Sequence, residues 1–276
     1  MKTYCVIGDP IDHSLSPAMH NAAFRILNLD CIYIAMRVRV GELDAAIKSI
    51  KATRIAGFNV TMPHKVAIMQ YLDKLDKSSI LANAVNTVDI KDDTMIGYNT
   101  DIHGFIKPIK DRNISLKDKD VLLLGAGGAA RAIIVALADE KINRLIIANR
   151  SIDKARRLID DLKSSIDVKF DIKFIGLEEA KDYSYDSYLI VNATPLGMKY
   201  EPSIIPSENI NPDSIVYDIV YRPMNTPLIE EAMSANAKII YGYEMLLEQG
   251  AKAFEIWLGI EAPRDVMKMA LLGGFG

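Results

Sequence analysis

Proton transfer needs a group that can hold a proton and one that can orient it. The sequence places a lysine and an aspartate at the ends of two short polar stretches: Lys65 closes GFNVTMPHK and Asp101 closes YNTD. Pro63 reads as the opening turn of a helix, so Lys65 would set a cation against the helix dipole at a cost of about 0.3–1 kcal/mol. A residue that breaks a local rule is a candidate for chemistry, here as an acid–base amine, the alternative being a lysine that points into solvent. Ser14 and Ser16 in HSLSP, Thr61 in NVTMPHK and Asn86 in AVNT add hydroxyl and amide groups. All fall at strand ends or loops, and in an open α/β sheet the ligand crevice lies outside the carboxyl ends of the strands. Ordinary alternatives stand beside these readings: Ser16 before Pro17 suits a helix N-cap, and so does Asp101 before IHGF.

A second chemistry is written in LLLGAGGAARA, where Gly125, Gly127 and Ala130 follow an apolar run in G-x-G-x-x-A spacing. Glycine permits the tight turn and lets a pyrophosphate approach the backbone, where free N–H groups at a helix start favour anions. At the end of the next strand, an acidic residue would hold the ribose 2′-hydroxyl of NAD, whereas an arginine would accommodate a 2′-phosphate. Asn149, Arg150 and Ser151 occupy that place, with Lys154 one helical turn beyond and Asp153 beside it. The spacing favours NADP; a solvated arginine at a helix start is the bland reading.

The elements that must position these groups alternate. Tyr4 to Ile7, CIYIAMRV and IAGFNVT read as strands; SPAMHNAAFRILNL, VGELDAAIKSIK and PHKVAIMQYLDKL read as helices. AVNTVDIKDDTMIGYNTD reads as two strands around a polar turn. A charged stretch, IKDRNISLKDKD, precedes a fresh series of alternating strands and helices that starts at DVLLLG and follows a doubly wound pattern. The late segment GYEMLLEQGAKAFEIWLG carries Tyr243, Leu247, Gly250, Phe254 and Trp257 on one helical stripe. Gln249 lies off it, on a face that suits a cleft or plain solvent. The expectation is an α/β chain of two domains, a mainly parallel α/β domain at the N-terminus and a Rossmann-like dinucleotide-binding domain.

Composition narrows the partners. Among 276 residues, 33 Lys plus Arg oppose 36 Asp plus Glu, a net charge of −3, so no broad cationic field serves nucleic acid or an anionic membrane. Two cysteines without CxxC spacing and four histidines without HExxH spacing imply reduced thiols and no metal. Val121 to Ala138 approaches the length of a membrane span, but Arg131 and the glycine cluster interrupt it. The opening MKTYCVIGDP is too short in its apolar run for a signal peptide, and a cytoplasmic location is expected.

GDPIDHSLSPAMHN, GFNVTMPHK, AVNT, YNTD, GAGGAARA, NRS, NATPLGM and GYEMLLEQGAKAF occur in the order of the shikimate dehydrogenase family, which the chain resembles along nearly its whole length. The resemblance implies reversible NADP-dependent reduction of 3-dehydroshikimate to shikimate in aromatic amino acid (chorismate) biosynthesis. It implies that Lys65 and Asp101 are catalytic and that Ser14, Ser16, Thr61, Asn86, Asp101, Tyr221 and Gln249 hold the substrate. It further implies that Gly125, Ala126, Gly127, Gly128, Ala129, Asn149, Arg150, Ser151, Lys154, Thr194, Ile219, Gly242 and Met245 line the NADP site. Its domains would be 1–105, with 241–276 folding back as helices onto it, for substrate, and 106–240 for NADP, in a monomer or homodimer. Two departures mark this sequence: Asn83 stands in LANAVNT where the family commonly has glycine, and Asp153 follows NRS, which leaves some use of NAD open. A quinate/shikimate dehydrogenase of broader range is the nearest alternative. A non-catalytic NADP-sensing regulator on the same fold is the other, and the presence of both Lys65 and Asp101 argues against it.

Overall fold

A computed structural model describes residues 1–274. The chain divides into two compact α/β units, one comprising Met1–Gly104 with the segment from Leu246 onward, the other Phe105–Met245. No helix among the described residues is long and apolar enough to cross a membrane.

The first unit is built on six strands: β1 (Lys2–Gly8), β2 (Cys31–Arg37), β3 (Gly57–Val60), β4 (Lys74–Leu75), β5 (Thr87–Lys91) and β6 (Thr94–Tyr98), ordered β2-β1-β3-β5-β6-β4. Three of its five pairings are parallel; β5 alone runs antiparallel to both neighbours. Asp92 and Asp93, both with positive φ (49° and 60°), turn β5 into β6, as the tight hairpin turns of twisted strands require. Helices α1 (Ser16–Ile26), α2 (Leu43–Ala52) and α3 (Lys77–Ala82) connect the strands. One face of the sheet buries Ile7, Phe58, Val60, Val88 and Met95 with Ile47 and Ile50 of α2. Asn83 ends α3 in the left-handed conformation, φ 45° and ψ 43°. That is a glycine position, and asparagine is among the few other residues that tolerate it, so the substitution keeps the turn.

The second unit begins within α4 (Asp101–Asp111) and contains β7 (Asp120–Leu124), α5 (Gly128–Ala138), β8 (Arg144–Ala148), α6 (Ile152–Lys163), β9 (Asp171–Ile175), α7 (Ala180–Ser184), β10 (Leu189–Asn192), β11 (Ile215–Asp218), α8 (Pro227–Ser234) and β12 (Lys238–Tyr241). Its sheet is wholly parallel, ordered β12-β11-β10-β7-β8-β9. Counted from β7, that is the 3-2-1-4-5-6 order of the doubly wound dinucleotide fold, which puts the switch point between β7 and β10. Its four inner strands, β7, β8, β10 and β11, are near-continuous apolar runs, as burial on both faces demands.

Helix α9 (Gly242–Leu258) carries the late stripe, and α10 (Arg264–Gly273) follows. Within the first unit Phe254 meets Phe24, while Trp257 stacks on Tyr4 at 4.9 Å and donates its indole N–H to Val88 O at 3.0 Å. Gly57 makes room for that indole: a Cβ there would come within 2.6 Å of its nitrogen.

One expected element is absent. PHKVAIMQYLDKL does not form an α-helix; after the Met62–Pro63 turn only a single 3₁₀ turn, Ala67–Tyr71, appears. The segment is tethered sideways instead. Val85 N–H donates to Lys65 O at 2.7 Å, which ties this backbone to the segment that leads into β5, and the His64 ring reaches Val38 O, just after β2, at 2.7 Å. Lys65 therefore opposes no α-helix dipole, and its claim to chemistry rests on its partners.

Candidate active site

Topology gathers the first set of polar residues. β1 and β3 are parallel neighbours, so the segments leaving them, with Ser14 and Ser16 after β1 and Thr61 and Lys65 after β3, emerge at one edge of the sheet. β5 runs the other way, so Asn86, just before it, lies at that same edge, where its carbonyl accepts from Val60 N–H at 2.8 Å. β6 reverses again and delivers Thr100 and Asp101 to it. Gly8 lets the end of β1 and the Thr61 segment close up, since a Cβ would sit 2.3 Å from Thr61 Cγ2.

At this edge Lys65 Nζ lies 2.6 Å from Asp101 Oδ2, with side chains only 16% and 6% exposed. Asn86 Nδ2 donates to the other carboxylate oxygen, Asp101 Oδ1, at 2.8 Å and lies 3.3 Å from Gln249 Oε1. Gln249 of α9 is thus half-buried against Asn86 rather than pointing freely into solvent, a contact across 163 positions of sequence. Asp101 opens α4 but spends neither oxygen on capping it; both are taken by Lys65 and Asn86. Nor does Ser16 cap its helix: it is the first residue of α1, and its N–H donates to the Ser14 hydroxyl at 3.3 Å.

Sequence reasoning passed over the residues that hold Asn86. Its Oδ1 accepts from Thr100 N–H at 2.7 Å and from the Thr87 hydroxyl at 3.1 Å, and its Nδ2 reaches Thr100 Oγ1 at 2.9 Å. Asn59 Nδ2 donates to Asn86 O at 3.1 Å and to Thr87 Oγ1 at 2.9 Å, and Asn59 Oδ1 accepts from the Tyr33 phenol at 2.7 Å. Three threonine and asparagine side chains buried at one strand edge were the available signal, because buried polar groups must find partners.

The second unit carries the glycine turn. Gly125 has φ 104°, and a Cβ there would sit 2.9 Å from Ala193 O and 3.0 Å from Thr194 Cγ2, so only glycine fits. Gly127 precedes α5, and a Cβ on it would meet nothing within 4 Å. Open space over that backbone, beside the free N–H groups of Gly128, Ala129 and Ala130 at the start of α5, suits a phosphate. The turn continues Ala126 from the buried strand end. At the end of β8, Asn149 donates from Nδ2 to Ser151 O at 2.8 Å and Ser151 caps α6 by accepting from Lys154 N–H at 3.3 Å. Arg150 and Lys154 are exposed and, among the described residues, form no ion pair; Asp153 does not neutralise them. Two free cations beside a glycine turn fit an NADP 2′-phosphate on the chemistry of the donors present.

Of the remaining predicted residues, Ile219 follows β11 and Gly242 opens α9 hard against it, where a Cβ would fall 2.6 Å from Ile219 O. Met245 is buried one turn into α9. Tyr221 lies in the second unit, and burial raises its phenol pKa.

A 3-2-1-4-5-6 parallel sheet with a glycine turn, accompanied by an α/β unit that holds a buried Lys–Asp pair, defines a dinucleotide-dependent α/β oxidoreductase. Residues 6–88 match the family "Shikimate dehydrogenase substrate binding domain", 108–195 "Shikimate / quinate 5-dehydrogenase" and 242–272 "Shikimate 5'-dehydrogenase C-terminal domain". The chain is 53% identical over 274 residues to a shikimate dehydrogenase (NADP(+)) of Nitrosopumilus maritimus, covering 99% of each chain. Among solved structures, a shikimate dehydrogenase in complex with NADP+ superposes with a TM-score of 0.91 at 42% identity, covering 100% of this chain and 96% of that one. The Thermus thermophilus enzyme with NADP(H) and shikimate gives 0.87 at 33%, covering 99% and 100%. The chain belongs to the shikimate dehydrogenase family.

Proposed function

We propose that this protein catalyses the reversible NADP-dependent reduction of 3-dehydroshikimate to shikimate, a step of aromatic amino acid (chorismate) biosynthesis carried out in the cytoplasm by a monomer or homodimer. The observation that carries the reading is the buried pair of Lys65 and Asp101, 2.6 Å apart and braced by Asn86. Residues 1–105 with 241–276 serve as the substrate domain and 106–240 as the NADP domain.

When bound, the dinucleotide would supply a hydride to the ketone carbon in its reduced form, NADPH, and would accept one from the alcohol carbon in its oxidised form. The protein must handle the proton on oxygen. Lys65 gives it to the carbonyl oxygen as the alcohol forms and takes it back in the oxidation, while Asp101, fixed through Oδ1 by Asn86, holds the amine in place. Asn86 and Gln249 offer amide groups to substrate hydroxyls, Thr61 adds a hydroxyl, and Ser14 and Ser16, at the start of α1, receive the carboxylate. Tyr221 contributes its phenol to the substrate. The Gly125–Ala129 turn receives the pyrophosphate, Asn149 to Lys154 the adenosine ribose with its 2′-phosphate, and Thr194, Ile219, Gly242 and Met245 line the rest of the dinucleotide site.

Purified protein assayed by nicotinamide absorbance with shikimate or quinate, each with NADP or NAD, tests the assignment. Turnover of shikimate with NADP well above the other three combinations is expected. Turnover confined to quinate, or no turnover at all, overturns it.

A further inference from the structure

The carboxylate of Asp218 belongs to neither set of residues above, yet it is completely buried at the end of β11. Its Oδ1 accepts from Asn192 Nδ2 at 2.9 Å and from Val220 N–H at 3.0 Å, and its Oδ2 accepts from the Thr226 hydroxyl at 2.5 Å. Burial pushes its pKa up to about 6, held from rising further by these donors, so at neutral pH it is an acceptor-only carboxylate.

Asn192 spans the two loops. It presents its amide nitrogen to the carboxylate and to Leu196 O, at 3.1 Å, which leaves Oδ1 for the other side. There Oδ1 accepts from Thr194 N–H at 3.0 Å and from the Thr194 hydroxyl at 2.6 Å. Thr194 in turn accepts from Leu196 N–H at 3.1 Å, and Asn192 O accepts from Ile219 N–H at 3.1 Å. One buried charge therefore fixes the loops after β10 and β11 together. The tolerance at their far side is small, because Ala193 and Thr194 form the wall against which Gly125 makes its turn.

We propose that Asp218 is a positioning residue for the dinucleotide, acting through Asn192 to set Thr194 against the Gly125 turn. The inference rests on the proposed reading of Thr194 and Gly125 as cofactor residues. A buried carboxylate is costly to desolvate, and an apolar residue would close β11 at less expense in stability. What an apolar residue would not do is accept from the Asn192 amide, which would then be tied to its own loop alone, through Leu196 O. Asparagine at 218 removes the charge and one of the two acceptor oxygens, so it weakens the bridge at nearly constant volume.

The test is a double-mutant cycle in the full chain, with Asp218→Asn, Thr194→Ala and the two combined, measured by calorimetric titration with NADP and with NAD well below the melting temperature. Asp218→Asn is expected to raise both dissociation constants by the same factor, about tenfold, and to add little when Thr194 is already alanine, because coupled residues are not additive. The dinucleotide constants alone are read, because Tyr221, assigned to the substrate, leaves β11 on the same loop as Asp218. Effects that multiply in the double variant, or a lowered melting temperature with unchanged dinucleotide affinity, would overturn the proposal and leave Asp218 a brace for α8. Normal dinucleotide binding by Thr194→Ala alone would instead sink the reading of Thr194 on which the proposal stands. Should Asp218→Asn fail to fold, Asn192→Ser cuts the same bridge while leaving Asp218 two donors, and is judged in the same cycle by the same criterion.

Discussion

Lys65 and Asp101 form a 2.6 Å ion pair in which the carboxylate is the more buried partner. Each therefore depends on the other. Lys65→Ala should lower kcat by roughly 10²–10⁴, the usual contribution of a positioned acid or base, with a smaller effect on the KM for shikimate. It should also cost stability, on the order of 1–3 kcal/mol, because Asp101 keeps Asn86 but loses its counter-charge. Steady-state kinetics well below the melting temperature, beside a denaturant titration, separate the two effects. A variant that turns over shikimate at nearly the wild-type rate would remove Lys65 from the mechanism.

Arg150 and Lys154 are exposed after β8 and free of ion pairs among the described residues, so nothing within the protein competes for them. Arg150→Ala should weaken NADP by about tenfold or more and NAD far less, since a charge-assisted contact to a 2′-phosphate has no counterpart in NAD. Parallel dissociation constants for the two dinucleotides check it; equal losses would place the 2′-phosphate elsewhere.

Much of this was legible in the sequence, and what was not has a common cause. The glycine turn and the apolar runs of β7, β8 and β10 are local signals, readable from spacing and composition alone. The apolar spacing from Pro63 onward is that of a helix, but the Lys65 carbonyl is taken by Val85 and the His64 ring by Val38, partners that a linear reading does not contain. Gln249 stood open between cleft and solvent for the same reason: its partner Asn86 is 163 residues away. Asn83 could be read as a departure from a glycine, but only its φ of 45° explains why the loop accepts it. Lys65 opposes no helix dipole; what sets it apart is its buried acidic partner, which a linear reading does not contain.

Trp257 is the sole tryptophan and reports on the packing of α9 within the first unit. Gly57→Ala would drive a methyl to within 2.6 Å of the indole nitrogen and 3.0 Å of Val88 O, displacing the ring from its hydrogen bond. Overpacking of this kind costs about 1–3 kcal/mol, here with a shift in tryptophan emission as the bond to Val88 is lost. Unchanged emission and an unchanged denaturation midpoint would show that the indole moves aside freely.

His20 is fully buried on α1, stacked on Tyr33 at 4.4 Å and enclosed by Phe24, Phe254 and Trp257, and neither ring nitrogen has a hydrogen-bond partner among the described residues. Burial lowers its pKa to about 3, against 6.5 for an ordinary histidine. Between those two values the unfolded chain binds a proton that the folded chain refuses, so this contribution to stability is complete above pH 6.5 and is lost as the pH falls through the window. Asp218 works in the opposite sense, since its pKa is raised from 3.8 to about 6 and the folded state binds the extra proton between them. The wild-type curve mixes both, and a difference between variants isolates one. Replacing His20 by leucine, which cannot titrate, should lower the slope of stability against pH by up to about 1.4 kcal/mol per pH unit in the acid range relative to wild type, while leaving the opposing slope from Asp218 in place. Urea titrations of both proteins at closely spaced pH values between 4 and 7 measure that difference. Curves that stay parallel would mean that His20 reaches a proton-accepting partner or water in the folded state and titrates normally there.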